Sequence, residues 1–428
     1  MDVNIFVVFA ILVALLIGSL PVFAALFFTS FISLALYTDV NPVIMAHTMA
    51  GCLKDPSLLV MLFFILTGNI MTQGSTATKL INIAQTAVGF LPGGLAMAGC
   101  LACSLFGFIS GSTVATVVAI GGLMIPAMIA NGYDEKFTLG IMTTSPVLGI
   151  IVPPSITMVI YASVTNCSIA QLFLTGFIPA GLIVISFSIY TFFCCRAKGM
   201  TRKPWPNPKE LLRVLREGIW ALMLPVIIFA GILSGAMTII DAAVLSSVYA
   251  FVVELFIHRS MKFSDIIPVT INSALLTSAL LIIVAGATTF GSFLTLQRIP
   301  DMVAQVVTTT ITQPWVFLLV VNGLLFFIGM FMDPIPATLI LTPIILPTLA
   351  KFHIDIIHFG LIMTLNLGIS YCTPPVGTSL FITGAMRNRD IVYVTESVLP
   401  FLLIQVTILI LLSYLPQVTL FLPKLFYG

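Results

Sequence analysis

Along its whole length the chain alternates long apolar runs with short polar interruptions. The runs fall at 5–36, 57–73, 78–95, 96–131, 137–162, 169–195, 218–236, 239–257, 265–296, 315–350, 356–385 and 391–415. A helix needs about 20 apolar residues to cross hydrocarbon, so the pattern predicts roughly ten to fourteen membrane segments. The expected fold is all-α and polytopic, one integral membrane domain over 1–428. Several runs are too long, or too broken by Gly and Pro, to be one straight helix. The opening run is interrupted at Gly18-Ser19-Leu20-Pro21, which predicts a kinked first helix. It lacks the basic start and short apolar core of a removable signal, so it is expected to stay in the mature protein.

Charge then orients the pattern. The markedly polar stretch, 196–217, carries Arg196, Lys198, Arg202, Lys203, Lys209, Arg213 and Arg216 with Pro204, Pro206 and Pro208. Basic loops remain on the cytoplasmic side, so this stretch is expected to be a cytoplasmic basic loop. Counting crossings outward from it puts Arg259 and Lys262 inside, Arg298 outside, and Arg387 and Arg389 inside, provided 315–350 dips in and returns. Counting backwards puts Lys136 and Lys54 inside, provided 96–131 is re-entrant too. Thirteen of the 17 Lys and Arg residues then face the cytoplasm.

Composition removes the other classes. With 59% apolar and 7% charged residues, a soluble domain, typically about 25% charged, is excluded. A net charge of +2, with no block of basic residues alternating with aromatics, leaves nothing for nucleic acid. The seven cysteines sit in or beside apolar runs, and Cys100-Leu-Ala-Cys103 lacks the strand context of a redox site. The four histidines lack metal-ligand spacing, and GxxxxGK[ST], HExxH and GxSxG are absent. Asp241 opens a helix and reads as a cap. Neither an enzyme nor a cofactor is expected.

An internal repeat is the most informative feature. At an offset of 221 residues Pro126 falls on Pro347, Asp134 on Asp355, Ile141-Met142-Thr143 on Ile362-Met363-Thr364, Pro153-Pro154 on Pro374-Pro375, Thr157 on Thr378 and Pro179 on Pro400. The charge count puts position 168 outside and its partner Arg389 inside, so the repeats, 96–195 and 315–415, are inverted. The remaining helices would form a scaffold. Inverted repeats with broken helices belong to secondary transporters, where two opposed copies give two nearly equivalent conformations. Each repeat is expected to contain a re-entrant hairpin followed by a helix broken at its proline pair. Two consecutive prolines free carbonyls one turn earlier, and irregular backbone survives in hydrocarbon only where it lines a polar cavity. A hard cation such as Na⁺ suits such oxygens. The hairpin tips add Ser110-Gly111-Ser112-Thr113 and, aligned with it, Met332-Asp333-Pro334. Asp333 reads both as an ionisable group at membrane depth and as the N-cap of a helix opening at Pro334.

At these motifs the chain resembles the large membrane subunit of tripartite ATP-independent periplasmic (TRAP) transporters, the DctM-type family. The resemblance runs through Gly18-Ser19-Leu20-Pro21-Val22, Ser110-Gly111-Ser112-Thr113-Val114-Ala115-Thr116, Ile125-Pro126-Ala127-Met128, Gly132-Tyr133-Asp134, Ile151-Val152-Pro153-Pro154-Ser155-Ile156, Phe331-Met332-Asp333-Pro334 and Thr373-Pro374-Pro375-Val376-Gly377. It implies a bacterial inner-membrane permease importing a small organic acid, either a C4-dicarboxylate, sialic acid or another sugar acid, by a sodium-coupled elevator mechanism. It also implies two partners, a small DctQ-type membrane subunit and a periplasmic DctP-type binding protein. The implied sodium ligands are Gly107, Ser110, Gly149, Val152 and Pro154 at one site and Gly329, Ser370, Thr373 and Val376 at the other. Substrate contacts are implied at Ser112, Thr157 and Asp333, with Arg298 for a carboxylate. Some members carry Asp at the position of Thr116, and the acid at Asp241 is commonly Glu, which leaves the substrate class open. The other reading is a self-sufficient sodium/anion symporter of similar architecture.

Overall fold

The computed structural model describes residues 5–38, 41, 43–197, 205 and 207–428. The described residues are helical, and eight helices are long and apolar enough to cross a membrane, or nine if a bent pair counts as one span. The opening run breaks where expected: one helix, Ile5–Ile17, ends before Gly18, and the next, Val22–Tyr37, begins after Pro21.

The basic loop is shorter than the sequence predicts. Helix Pro208–Leu233 begins inside 196–217, its end capped by Asn207, which accepts from the Lys209 amide at 3.2 Å. Pro208 fits the first turn, where an N–H would have no helical partner. Lys209, Arg213 and Arg216 therefore ride on a helix; Lys198, Arg202 and Lys203 lie outside the described residues.

Each repeat has the predicted order. In the first, Gly94–Ser110 and 113–130 form the hairpin, and the following span, Glu135–Thr165, is broken at 152–155. In the second, Pro314–Gly329 and Pro334–Lys351 form the hairpin, and Ile356–Ser370 and Thr378–Arg387 flank the break. Both proline pairs have cis peptide bonds.

The two broken helices run antiparallel. At one end Arg389 donates to Glu135 at 2.6 Å and Lys136 pairs with Glu396 at 2.7 Å. At the other end the Tyr161 hydroxyl donates to the Ile356 carbonyl at 2.8 Å. The start of each broken helix thus lies beside the far end of the other. Midway, a side chain at Gly368 would place its first carbon 3.2 Å from Val147 Cγ1. Val147 and Gly368 are partners under the 221-residue offset, and a residue touches its own repeat partner only beside the two-fold axis relating the copies.

Packing is exchanged about that axis. Ile156–Thr165, after the first break, packs on hairpin arm Pro334–Lys351, while Thr378–Arg387, after the second, packs on Val117–Gly121 of the first hairpin. Ile391–Ser413 lies against Glu135–Thr144, and Ile169–Thr175 against Ile356–Ser370. Around this body Ser57–Gln73 packs on Ile239–Val252, and Phe263–Leu296 on Val22–Tyr37.

Leu58–Gln73 and Thr76–Val88 meet at 74°. Glu254, fully buried, accepts from the Ser75 amide at 3.2 Å and from the hydroxyls of Thr76 and Ser260. It satisfies the Ser75 amide at the bend, a task that the sequence reading did not foresee.

Close backbone approach holds the exchanged packing. A β-carbon on Gly140 would overlap the Ser397 carbonyl, whereas one on Gly181 would meet nothing within 4 Å. Gly140→Ala should destabilise the purified protein by roughly 1–3 kcal/mol, the usual cost of overpacking. Thermal unfolding in detergent measures this, with Gly181→Ala expected to match or exceed the wild type.

Candidate functional site

Both hairpin tips reach the proline break of their own repeat, and backbone without side chains makes this possible. In the first repeat Gly107 lies against Gly149: a β-carbon on Gly107 would sit 3.0 Å from the Leu148 carbonyl oxygen and 3.2 Å from Gly149 Cα. One on Gly149 would sit 2.7 Å from both the Ser112 carbonyl oxygen and Thr116 Oγ1. Gly111 turns the tip at φ +57°, a conformation glycine adopts without steric cost, and any side chain there would overlap the Pro154 carbonyl.

The polar atoms here are almost all oxygens. Thr116 donates to the Ser112 carbonyl at 2.8 Å, and the Ser110 hydroxyl lies 3.1 Å from Thr116 Oγ1 and 3.4 Å from the same carbonyl. Ser110, Thr116, Val152 and Pro154 are buried. Helix Ser57–Gln73 closes the locus, because Gly68 lets it approach Ser110 Cα to 3.1 Å from a would-be β-carbon.

The second repeat builds the same arrangement. A β-carbon on Gly329 would lie 2.7 Å from Ser370 Oγ, and the Val376 amide donates to the Met330 carbonyl at 3.3 Å, tying break to tip. Ser370 donates to the Asn366 carbonyl at 2.9 Å. The carbonyls freed by Pro374 and Pro375 are engaged: Thr373 N donates to Ser370 O at 3.0 Å and Ser379 N to Tyr371 O at 3.2 Å. Each carbonyl keeps a second lone pair, so oxygen remains on offer.

At the tips, Ser112 and Asp333, partners under the offset, do the same local job. Ser112 Oγ accepts from the Ala115 amide at 3.4 Å, and Asp333 Oδ1 from the Ile335 amide at 3.0 Å, each capping the returning arm. Asp333 is exposed, and its second carboxylate oxygen accepts from the Tyr371 hydroxyl. Asp333 therefore fastens tip to break, a link that sequence reasoning missed because Tyr371 carries no local signature. Thr157 is buried in the first turn after the first break, on a helix capped by Ser155.

Arg298 stands apart from these residues. With a left-handed φ of +53°, it precedes helix Ile299–Thr310 and lines a cavity of about 730 Å³ together with Asp55, Thr288, Ser292, Asp301 and Pro347. The lining residue of arm Pro334–Lys351 nearest Asp333 is Leu339, six residues along the helix, about 9 Å at 1.5 Å per residue. The cavity lies between the outer helices and arm Pro334–Lys351, and Ser112, Thr157 and Asp333 are not in its lining. Asp241 serves to cap its helix as the sequence predicts, from the third helical position: it accepts from the amide of the N-cap residue Thr238, whose hydroxyl accepts from the Asp241 amide in return.

The family described as "Tripartite ATP-independent periplasmic transporter, DctM component" matches residues 9–418. A C4-dicarboxylate TRAP transporter large permease, DctM, of Pseudomonas aeruginosa is 41% identical over 86% of both chains. The sialic acid large permease SiaM of Vibrio cholerae is 34% identical over 97% of both. An ectoine/5-hydroxyectoine large permease, UehC, of Ruegeria pomeroyi is 33% identical over 98% of this chain and 99% of its own. Among solved structures, the Alcanivorax borkumensis YdaH transporter matches with a TM-score of 0.58 over 87% of both chains at 14% identity, a likeness of fold. Matched from end to end, and built from the tips and proline breaks by which the resemblance shows in the sequence, the chain belongs to the DctM family of TRAP transporter large permeases, multi-pass proteins of the bacterial inner membrane.

Proposed function

We propose that this permease moves a small organic acid with Na⁺, by an elevator motion in which the two repeats, 96–195 and 315–415, travel as one body past the outer helices. The observation that carries this reading is the pair of tip-and-break loci, alike across the two-fold axis and lined by carbonyl and hydroxyl oxygens. Oxygen-rich, carboxylate-poor surroundings suit a hard monovalent cation. Gly107, Ser110, Gly149, Val152 and Pro154 would surround one ion, and Gly329, Ser370, Thr373 and Val376 the other. The exchanged packing and the Glu135, Tyr161 and Gly368 contacts support movement of the repeats as a unit.

The substrate would meet Ser112, Thr157 and the Asp333–Tyr371 link at the tips. The Tyr371 proton is already held by Asp333, so the anion would be met by the amides at the helix ends. Arg298 would attract an acid into the separate cavity between moving and fixed helices rather than hold it at the tips. The acids named for relatives, C4-dicarboxylates and sialic acid, are the first to test. A DctQ-type membrane subunit and a DctP-type binding protein would complete the system, as the tripartite family name implies.

In proteoliposomes the chain alone should take up no acid, and uptake should appear once both partner proteins are added. Robust uptake by the single chain would instead favour a self-sufficient symporter. Uptake by the complete system should rise steeply with Na⁺, with more than one ion per substrate; rates unchanged when choline replaces Na⁺ would remove both cation sites.

Asp333→Asn keeps the cap, because Asn caps about as well as Asp, and weakens the bond from Tyr371. It should slow uptake about tenfold at near-normal thermal stability, as expected for losing a charge-assisted bond of roughly 1.5–3 kcal/mol. Ser112→Ala should have a smaller effect, on the scale of roughly 0.5–1.5 kcal/mol for a neutral bond. Normal uptake kinetics in both variants would make the tips structural.

A further inference from the structure

A chain of buried side-chain hydrogen bonds runs through the second repeat, and its direction is fixed from one end to the other. Ser413 donates its hydroxyl proton to the Leu409 carbonyl at 2.8 Å. Its oxygen must therefore accept from Asn322 Nδ2 at 3.0 Å. Asn322 then presents its amide oxygen to Asn366, whose Nδ2 lies 2.8 Å from that oxygen and 2.9 Å from the Asn322 carbonyl. Both neighbours are acceptors, so flipping the Asn366 amide would set oxygen against oxygen. The assignment leaves Asn366 Oδ1 pointing away from Asn322, fully buried and without a hydrogen-bond donor from the protein.

A buried carbonyl oxygen in that position needs a partner. One turn further along the same helix stands Ser370, whose single proton is shared between the Asn366 carbonyl at 2.9 Å and the Phe326 carbonyl at 3.3 Å, so it too has only lone pairs left to offer. Residues four apart share a helix face at about 5–6 Å. Both side chains also lean on the same hairpin arm, Asn366 on the Asn322 carbonyl and Ser370 on that of Phe326. Polar atoms that are all acceptors are complementary to a cation. The first repeat carries less oxygen here: under the 221-residue offset Asn322, Asn366 and Ser370 correspond to Leu101, Ser145 and Gly149, so one buried hydroxyl, that of Ser145, stands where the second repeat has an aimed amide and a second hydroxyl.

We propose that Asn366 Oδ1 is an inner ligand for a monovalent cation, extending the second site one turn deeper than the first, with Asn322 as the positioning residue that aims the amide. The proposal rests on the sodium reading above. The two sites are then unequal, and the second is the more demanding of a small, fully dehydrated ion.

The test is a Na⁺ titration of the complete transport system, paired with thermal unfolding of the purified full chain in NaCl against choline chloride. Asn366→Leu should raise the Na⁺ concentration for half-maximal uptake about tenfold, the factor for a contact of ordinary hydrogen-bond size. It should also lower the Hill coefficient for Na⁺ and shrink the Na⁺-specific stabilisation. Asn322→Leu should shift the Na⁺ curve in the same direction by less. If Asn366→Leu is not recovered folded, Asn366→Ser, which also withdraws the amide oxygen, should show the same shift. A wild type that responds to Na⁺, with an Asn366 variant whose Na⁺ curve and Hill coefficient are unchanged, overturns the proposal alone and makes the amide a structural or water-bound group. A wild type indifferent to Na⁺ in both measurements overturns the sodium reading and this proposal with it.

Discussion

Hydrocarbon offers no hydrogen bonds, so a backbone group left without a partner inside it costs several kcal/mol. Each repeat breaks a helix in the middle of the protein, at Val152–Ser155 and at 371–377, and everything around the breaks serves to cover them. The hairpin tip of the same repeat reaches in beside each break, through Gly107 and Gly111 in one copy and Gly329 in the other. The helix that follows each break is then packed on the other repeat's hairpin. Neither repeat can cover its own break completely, and the two-fold axis at Val147 and Gly368 is the geometric consequence.

The same constraint explains why the polar atoms at the centre are neutral. Carbonyls, hydroxyls and amides can be buried if each finds a partner, whereas a lone carboxylate in that interior would be far more costly. Two carboxylates show how this is managed. Glu254 is buried at a bend among the outer helices with three donors around it and the buried His258 ring 3.3 Å away. Asp333 stays at an exposed tip, shared between a helix end and Tyr371.

Much of this was legible in the sequence, because symmetry and proline leave marks along the chain. The aligned proline pairs predicted two broken helices, and the charge count predicted their opposed directions, which the Glu135–Arg389 and Tyr161–Ile356 contacts bear out. Asp333 before Pro334 was readable as a cap from a local pattern. The partners that give the tips their chemistry were not readable. Tyr371 meets Asp333, and Asn322 meets Asn366 across 44 residues, through contacts set by tertiary packing. An Asn in an apolar run was the available signal for that pair. Gly68 was invisible for the opposite reason, since what matters is the side chain it lacks. Arg298 was named with the tips by resemblance, and it lines a cavity walled in part by arm Pro334–Lys351, whose lining does not include Ser112, Thr157 or Asp333.

The central claim is that the two repeats, locked across their axis, move as one body past the outer helices. Electron-electron distance measurements between paired spin labels test it directly, in a chain whose seven cysteines are replaced. One pair, at exposed Asn131 and Asn388, lies within the body; the other joins Asn131 to exposed Lys262 on the outer helices. With Na⁺ and substrate supplied to the complete system, the Asn131–Lys262 distance should take two values differing by on the order of 10 Å, a fraction of the roughly 30 Å hydrocarbon layer. The Asn131–Asn388 distance should stay single and unchanged. Splitting of the Asn131–Asn388 distance, or a fixed Asn131–Lys262 distance during active transport, would contradict the account.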